Sequence, residues 1–393
     1  MTVPHVKGWC PGALRPMVSG DGLILRIRPR LAQITVGQAH GIADLAAVHG
    51  NGFIQLTNRA NLQIRGVADA GLPALTKGLA AFGLLDDRPE AEAARNIIVS
   101  PFWSDTATPV IANALADALT GATMPNLPGK FGFAVDTAGP VTHLSAISAD
   151  IRFETAGKAL IVRADGAAYG RRVASAEQAV ALAIALARWF AASGGVDAGG
   201  RGRMRAHLAR GAVVPPHLAG DTAPNPAADP FQPGQHNGAS CIAFAFGQIP
   251  TATLHLLADA ARSPIRVTPW HALAFMGQDL TPPVANHPDL ITTPNDPLLR
   301  VTACTGAPGC PQAHAETRSL ARSMAAYVPE GSHLHVSGCA KGCAHPGPAP
   351  VTLTATPNGF SLVRNRCAGD TPDLTGLGAE MLRTSPDLFR ALP

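Results

Sequence analysis

The chain has 393 residues, 46% of them hydrophobic, and 31 Lys+Arg against 27 Asp+Glu give a net charge of +4. That apolar share supports buried cores and excludes a largely disordered chain. The mild charge excludes a polyanion-coating role, so neither nucleic acid nor a membrane is expected as a partner. Charged residues are only 15%, while 40 Gly and 35 Pro predict short elements joined by tight turns. Lysine occurs only at positions 7, 77, 130, 158 and 341, so the cations are mostly arginine, the better fork for carboxylates. Length alone favours two or three domains, at roughly 150 residues each.

In chain order, residues 1–18 have no apolar core of a signal peptide, so export is not expected. Seven cysteines, an odd number, then argue for a reducing cytoplasm. Leu23–Arg28 (LILRIR) alternates as a strand, with Arg26 and Arg28 on one face. Thr35 opens a helix with Gln38 three residues on as a capping box. Ile42, Leu45, Ala46 and Val48 form its apolar side, and Gly50 and Gly52 end it. A strand Phe53–Thr57 follows. Leu62 and Ile64 then alternate with Gln63 and Arg65, so Arg59, Gln63 and Arg65 are expected on one polar surface.

This unit echoes 211 residues on. Ile54-Gln55-Leu56-Thr57 matches Ile265-Arg266-Val267-Thr268, Leu62 meets Leu273, and Gly66 meets Gly277. Residues 247–261 would be the second helix. A strand–helix–strand unit repeated in both halves points to duplication. The expected division is 1–90 and 239–290 as the repeated half-domains, 91–212 and 291–393 as larger α/β segments, and 213–238 as a Pro/Gly-rich linker. Within 91–212 the apolar run at 176–192 reads as a buried helix, too short and polar to span a bilayer.

Four cysteines crowd into forty residues: Cys304 and Cys310 with five residues between them, then Cys339 and Cys343 with three. Gly306, Gly309, Gly338 and Gly342 allow close backbone approach, and nearby prolines stiffen the loops. Four thiolates on two rigid loops suit a cubane iron–sulfur cluster. A zinc knuckle, which prefers two to four intervening residues, and unligated core thiols are the alternatives. Cys10, Cys241 and Cys367 have no such partners and read as ordinary semi-buried thiols.

These residues resemble the sulfite/nitrite reductase superfamily. The segments Thr57–Gln63, Arg95-Asn96-Ile97-Ile98-Val99-Ser100 and Leu127-Pro128-Gly129-Lys130-Phe131 resemble its T-x-R-x-x-x-Q, R-N-V and L-P-x-K-F motifs, in the right order. The resemblance implies an α+β, pseudo-two-fold duplicated architecture of ferredoxin-like half-domains plus two α/β segments. It implies a [4Fe-4S] cluster on Cys304, Cys310, Cys339 and Cys343. Within the superfamily the chain most resembles the precorrin-3B synthase branch, through Gly8-Trp9-Cys10-Pro11-Gly12, Arg15-Pro16-Met17 and Ser19–Leu23. It departs from the reductases at Gly132, where they carry a second anion-binding lysine, and it is short for an assimilatory reductase.

That branch implies an O2-dependent monooxygenase of cobalamin biosynthesis, hydroxylating precorrin-3A at C20 with lactone closure. Substrate would occupy the space where reductases hold sirohaem. Arg26, Arg28, Arg59, Gln63, Arg65, Arg95 and Lys130 are its candidate carboxylate partners. A mononuclear non-haem iron is implied as the oxygen site, but His314, His333, His335 and His345 offer no clear ligand set. NADH is the implied donor; with no G-x-G-x-x-G after a predicted strand, a separate reductase is expected. The alternative is a sirohaem-dependent assimilatory nitrite or sulfite reductase.

Overall fold

The computed structural model describes residues 10–121, 124–236, 238–280, 287–384 and 386–389. Gly8 and Trp9 of the amino-terminal motif lie outside them. The fold is α+β, built on four five-stranded sheets in two matching pairs.

The first half-domain sheet runs β1 (Met17–Ser19), β2 (Gly22–Ile27), β5 (Leu62–Val67), β4 (Phe53–Leu56), β13 (Gln248–Pro250). The second runs β11 (Gly234–His236), β12 (Ala239–Ala243), β15 (Ala272–Met276), β14 (Ile265–Val267), β3 (Gln33–Ile34). Each half thus lends its partner an edge strand: β3 pairs antiparallel with β14, and β13 with β4. The repeat predicts the units but not this exchange, because edge pairing is set by tertiary contact. Each lent strand follows a tight turn with two consecutive residues in the left-handed region, Leu31 and Ala32 (φ 57° and 51°) and Phe246 and Gly247 (φ 57° and 70°).

The first helix spans Val36–His49 and carries the expected Thr35/Gln38 capping box. Its counterpart spans Thr251–Ala260, shorter than the expected 247–261 because Gln248–Pro250 is the exchanged strand. Gly234–His236, inside the expected linker, pairs with β12 as an edge strand. One core joins the two half-domains: Ile42, Ile54 and Leu62 pack with Ile249, Leu254 and Leu273.

The two α/β segments share one topology. β6 (Ile97–Val99), β7 (Phe133–Asp136) and β8 (Ile151–Ala156) are parallel, and β9 (Ala159–Ala164) and β10 (Arg171–Val173) return antiparallel. β16 (Val301–Ala303), β17 (Leu334–Ser337) and β18 (Ala349–Thr356) are parallel, followed by antiparallel β19 (Gly359–Arg366) and β20 (Leu374–Leu377). The helix Ala176–Ala192 forms with the predicted bounds and buries Leu182, Leu186 and Phe190. Among the described residues no helix is long and apolar enough to cross a membrane.

Candidate functional site

Parallel neighbours β16 and β17 end at the same sheet edge, with Ala303 opposite Val336. Cys304 follows one strand and Cys339 the other, so the topology brings both loops together. The Gly338 amide donates to Cys304 Sγ at 3.1 Å. A Cβ at Gly338 would lie 2.7 Å from the Ala313 methyl, so only glycine fits there. Burial pushes the Cys339 and Cys343 thiols up, and neighbouring cysteines add to it: Cys304 and Cys310 act on both. Four thiols therefore share one neighbourhood. Among the described residues no group of three Cys, His, Asp or Glu side chains is placed to hold a metal ion. Four thiols and an amide donor are the donor set of a cubane.

The cysteine loop is anchored to the first half-domain. Arg65 donates to the Gly309 carbonyl at 2.8 Å, to Ser19 at 2.9 Å and to Asp21 at 3.1 Å. Ser19 Oγ also donates to Gly309 O. Gly20 approaches this loop so closely that a Cβ would lie 2.5 Å from Pro308 O. Arg318, which sequence reasoning missed, donates to Gln55 Oε1 at 2.6 Å. Burial, and then the nearby Arg65, lower its guanidinium to about 10, with Cys304 opposing.

One polar row crosses the first half-domain sheet. Arg26 lies opposite Gln63, Gln63 opposite Gln55, and Gln55 opposite Gln248. With its amide oxygen turned toward Arg26, Gln63 accepts from Nε at 3.1 Å and from Nη2 at 2.9 Å. The apolar residues between them, Leu25, Ile27, Leu62 and Ile64, face the core. The matching positions on the second sheet are Cys241, Ala274, Arg266 and Gln33. That face is filled: Phe102 packs on Cys241 and Ala274, and Phe231 stacks on Trp270 at 4.7 Å. Arg266 lies 3.9 Å over Trp103, and burial pushes the Cys241 thiol up to about 12. The first face carries polar side chains along the whole row, whereas on the second Cys241 and Ala274 are covered and Arg266 stacks on Trp103.

Arg26, Arg28 and Arg59 stand close enough to perturb one another. Burial lowers all three guanidiniums; Arg28, pushed to about 10, is lowered further by Arg26. Cys10 hydrogen-bonds Arg26, and its sulfur also offsets the burial of Arg28 and Arg59. It is a half-buried free thiol, as the sequence suggests, and its partner here is an arginine. Glu92, also missed, is buried and accepts from the amides of Ala13 (2.6 Å) and Leu14 (3.1 Å). It pins the segment that carries Cys10 against the arginines. No single-residue pattern announced Glu92; its role arises from a contact some eighty residues away.

The predicted cations do not act alike. Arg95 grips Asp86 through two bonds of 2.9 and 2.7 Å and donates to Arg28 O. Arg28 donates to the carbonyls of Glu92 and Ala93. Arg65 is spent on the cysteine loop. Among the described residues the Arg59 guanidinium donates to Lys130 O at 3.0 Å, and Lys130 is exposed. Gln63 and Arg65 share the face of β5 opposite Leu62 and Ile64, as the alternation predicts, but their side chains turn apart, Arg65 to the loop and Gln63 to Arg26. Gly132 donates to Asp150 at 2.9 Å, and a Cβ there would lie 2.7 Å from Asn96 Nδ2, so a lysine has no room.

His333, His335 and His345 gather behind the second cysteine pair, with ring centroids 5.1 and 5.7 Å from His345. Burial first, and the neighbouring His345 second, lower His333 and His335 to about 4. His335 is fully buried with no hydrogen bond at either ring nitrogen. A cavity of about 640 Å³ adjoins Cys339, bordered by His314, Thr354, Val363 and Asp370; none of the predicted arginines lines it.

The model of the nitrite/sulfite reductase ferredoxin-like half domain matches residues 15–82. A protein of Sinorhizobium sp named Precorrin-3B synthase is 30% identical over 412 aligned positions, covering 96% of this chain and 88% of that one. Among solved structures, the Mycobacterium tuberculosis NirA protein superposes with a TM-score of 0.62 at 17% identity, covering 86% of this chain and 74% of its own. That is a likeness of fold.

Proposed function

The chain belongs to the precorrin-3B synthase family, and we propose that it hydroxylates precorrin-3A at C20 using O2, with an acetate side chain closing to a lactone. One oxygen atom enters the substrate and the other leaves as water, which requires two electrons and two protons. A separate NADH-linked reductase is the proposed source of the electrons. A [4Fe-4S] cluster on Cys304, Cys310, Cys339 and Cys343 would supply one-electron transfer. For the mononuclear non-haem iron the described residues show no converging ligand set, and no step is assigned to it.

The observation that carries the substrate assignment is the crowding of Arg26, Arg28 and Arg59 in a poorly solvated niche, with Glu92 and Asp150 the nearby acids. Desolvated like charges repel, and bound carboxylates relieve that repulsion. A polycarboxylate tetrapyrrole suits this niche. Arg59 and Arg26 are proposed to pair with its carboxylates, with Lys130 at the rim. Arg28 is held in place by Arg95. Gln63 orients Arg26, and Arg65 holds the cysteine loop beside the polar row.

The test is anaerobic incubation with precorrin-3A and reductant, followed by oxygen and mass analysis. Gain of one oxygen atom is expected; an unchanged mass refutes the assignment. Absorbance of anaerobically purified protein separates the reductase alternative. A broad brown shoulder is expected, whereas sharp Soret and red bands mean sirohaem.

A further inference from the structure

Away from this site, the helices Val36–His49 and Thr251–Ala260 pack against each other. Four side chains on them follow the 215-residue offset that relates the turns at Leu31 and Phe246: His40 and Asp44 recur as His255 and Asp259. His40 Nδ1 faces His255 Nδ1 at 2.8 Å. The outer nitrogens turn to carboxylates of the opposite helix: His40 Nε2 lies 3.3 Å from Asp259 Oδ1, and His255 Nε2 lies 3.1 Å from Asp44 Oδ1. The imidazoles are about one-third exposed, 32% and 33%, so solutes reach them.

Proton accounting makes this arrangement informative. A ring nitrogen that faces a carboxylate carries the hydrogen, because a lone pair there would be repelled. With both Nε2 atoms protonated, two neutral rings aim bare Nδ1 lone pairs at each other. Only a cation between them stabilises that approach. A ring that donates one N–H to a carboxylate and offers its other nitrogen is also the arrangement in which imidazoles bind metals.

We infer that this pair is a site for a divalent borderline cation such as Zn2+. His40 and His255 bind it through Nδ1, Asp44 and Asp259 orient the rings from behind, and water completes the coordination. Metal–nitrogen bonds of about 2.0–2.1 Å in tetrahedral geometry place the two nitrogens about 3.3 Å apart. Rotation of these one-third-exposed rings supplies that small opening. Two protein ligands make the site weaker than a four-ligand structural zinc. The ion clasps the two half-domains at their junction, and its rival is a single shared proton.

Zn2+ titration of the cluster-loaded protein by calorimetry, with thermal unfolding in parallel, tests the inference. One saturable site and a raised Tm are expected. His40→Gln and His255→Gln should each weaken binding at least tenfold and remove the Tm gain, with cluster absorbance intact. Asp44→Asn combined with Asp259→Asn should weaken it by about ten- to a hundredfold. X-ray absorption of the wild-type zinc complex should show two imidazole nitrogens with oxygen ligands, a readout independent of how the variants fold. Absence of saturable binding overturns the site and leaves the proton. Undiminished binding in both histidine variants, or sulfur ligands at the zinc, overturns it by placing the ion elsewhere.

Discussion

The arginines that the sequence offers as carboxylate partners divide by what they touch. Arg65 and Asp21 form a mostly buried pair, with side chains 11% and 16% exposed. Arg65→Ala strands Asp21 and releases the Gly309 carbonyl, which should cost about 3–5 kcal/mol in denaturant unfolding. Arg59→Ala should instead leave stability within about 1 kcal/mol and weaken tetrapyrrole binding with the cluster intact. Equal effects of the two substitutions on stability would contradict this division. Cys339→Ser should abolish or cripple the cluster, read as loss of the reduced-state EPR signal; an unchanged signal would sink the ligand assignment.

Strand ends are the elements that carry chemistry here. The ends of β16 and β17 hold thiols, whereas the pseudo-equivalent end of β7 holds Asp136, whose Oδ2 accepts from the Leu144 amide at 2.7 Å. Burial raises the Asp136 carboxyl from 3.8 to about 6, against that amide. Between these values the folded protein holds a proton that the unfolded chain has released. The stabilisation is therefore complete below the unfolded pKa and is lost as pH rises through the folded one. The shift corresponds to about 3 kcal/mol. Asp136→Asn keeps the acceptor for Leu144 and should flatten this part of the pH profile between 4 and 6. Urea unfolding at pH 4, 5 and 7 measures it; identical slopes in both proteins would show that Asp136 ionises without penalty.

At the scale of the molecule, the exchanged strands make the halves interdependent. Ile34 and Ile249 are fully buried in the partner half's sheet. Residues 1–212 alone would leave the β4 edge unpaired and Ile34 without its sheet, an invitation to association. That fragment should aggregate by size-exclusion chromatography and become soluble only when co-expressed with 213–393. A monodisperse, cooperatively melting first half would show the exchange to be dispensable.

The sequence by itself determined the local elements, because their signals are local. Alternation placed β2 and β5, a capping box started the first helix, and an apolar period bounded Ala176–Ala192. The spacing and flanking glycines of the two cysteine pairs are likewise written along the chain. Tertiary structure alone decided the strand exchange, the aromatic filling of the second face and the division of the arginines. It likewise decided the roles of Glu92 and Arg318, and the meeting of His40 with His255. Each depends on which distant backbone arrives beside a side chain, and packing, rather than local periodicity, sets that.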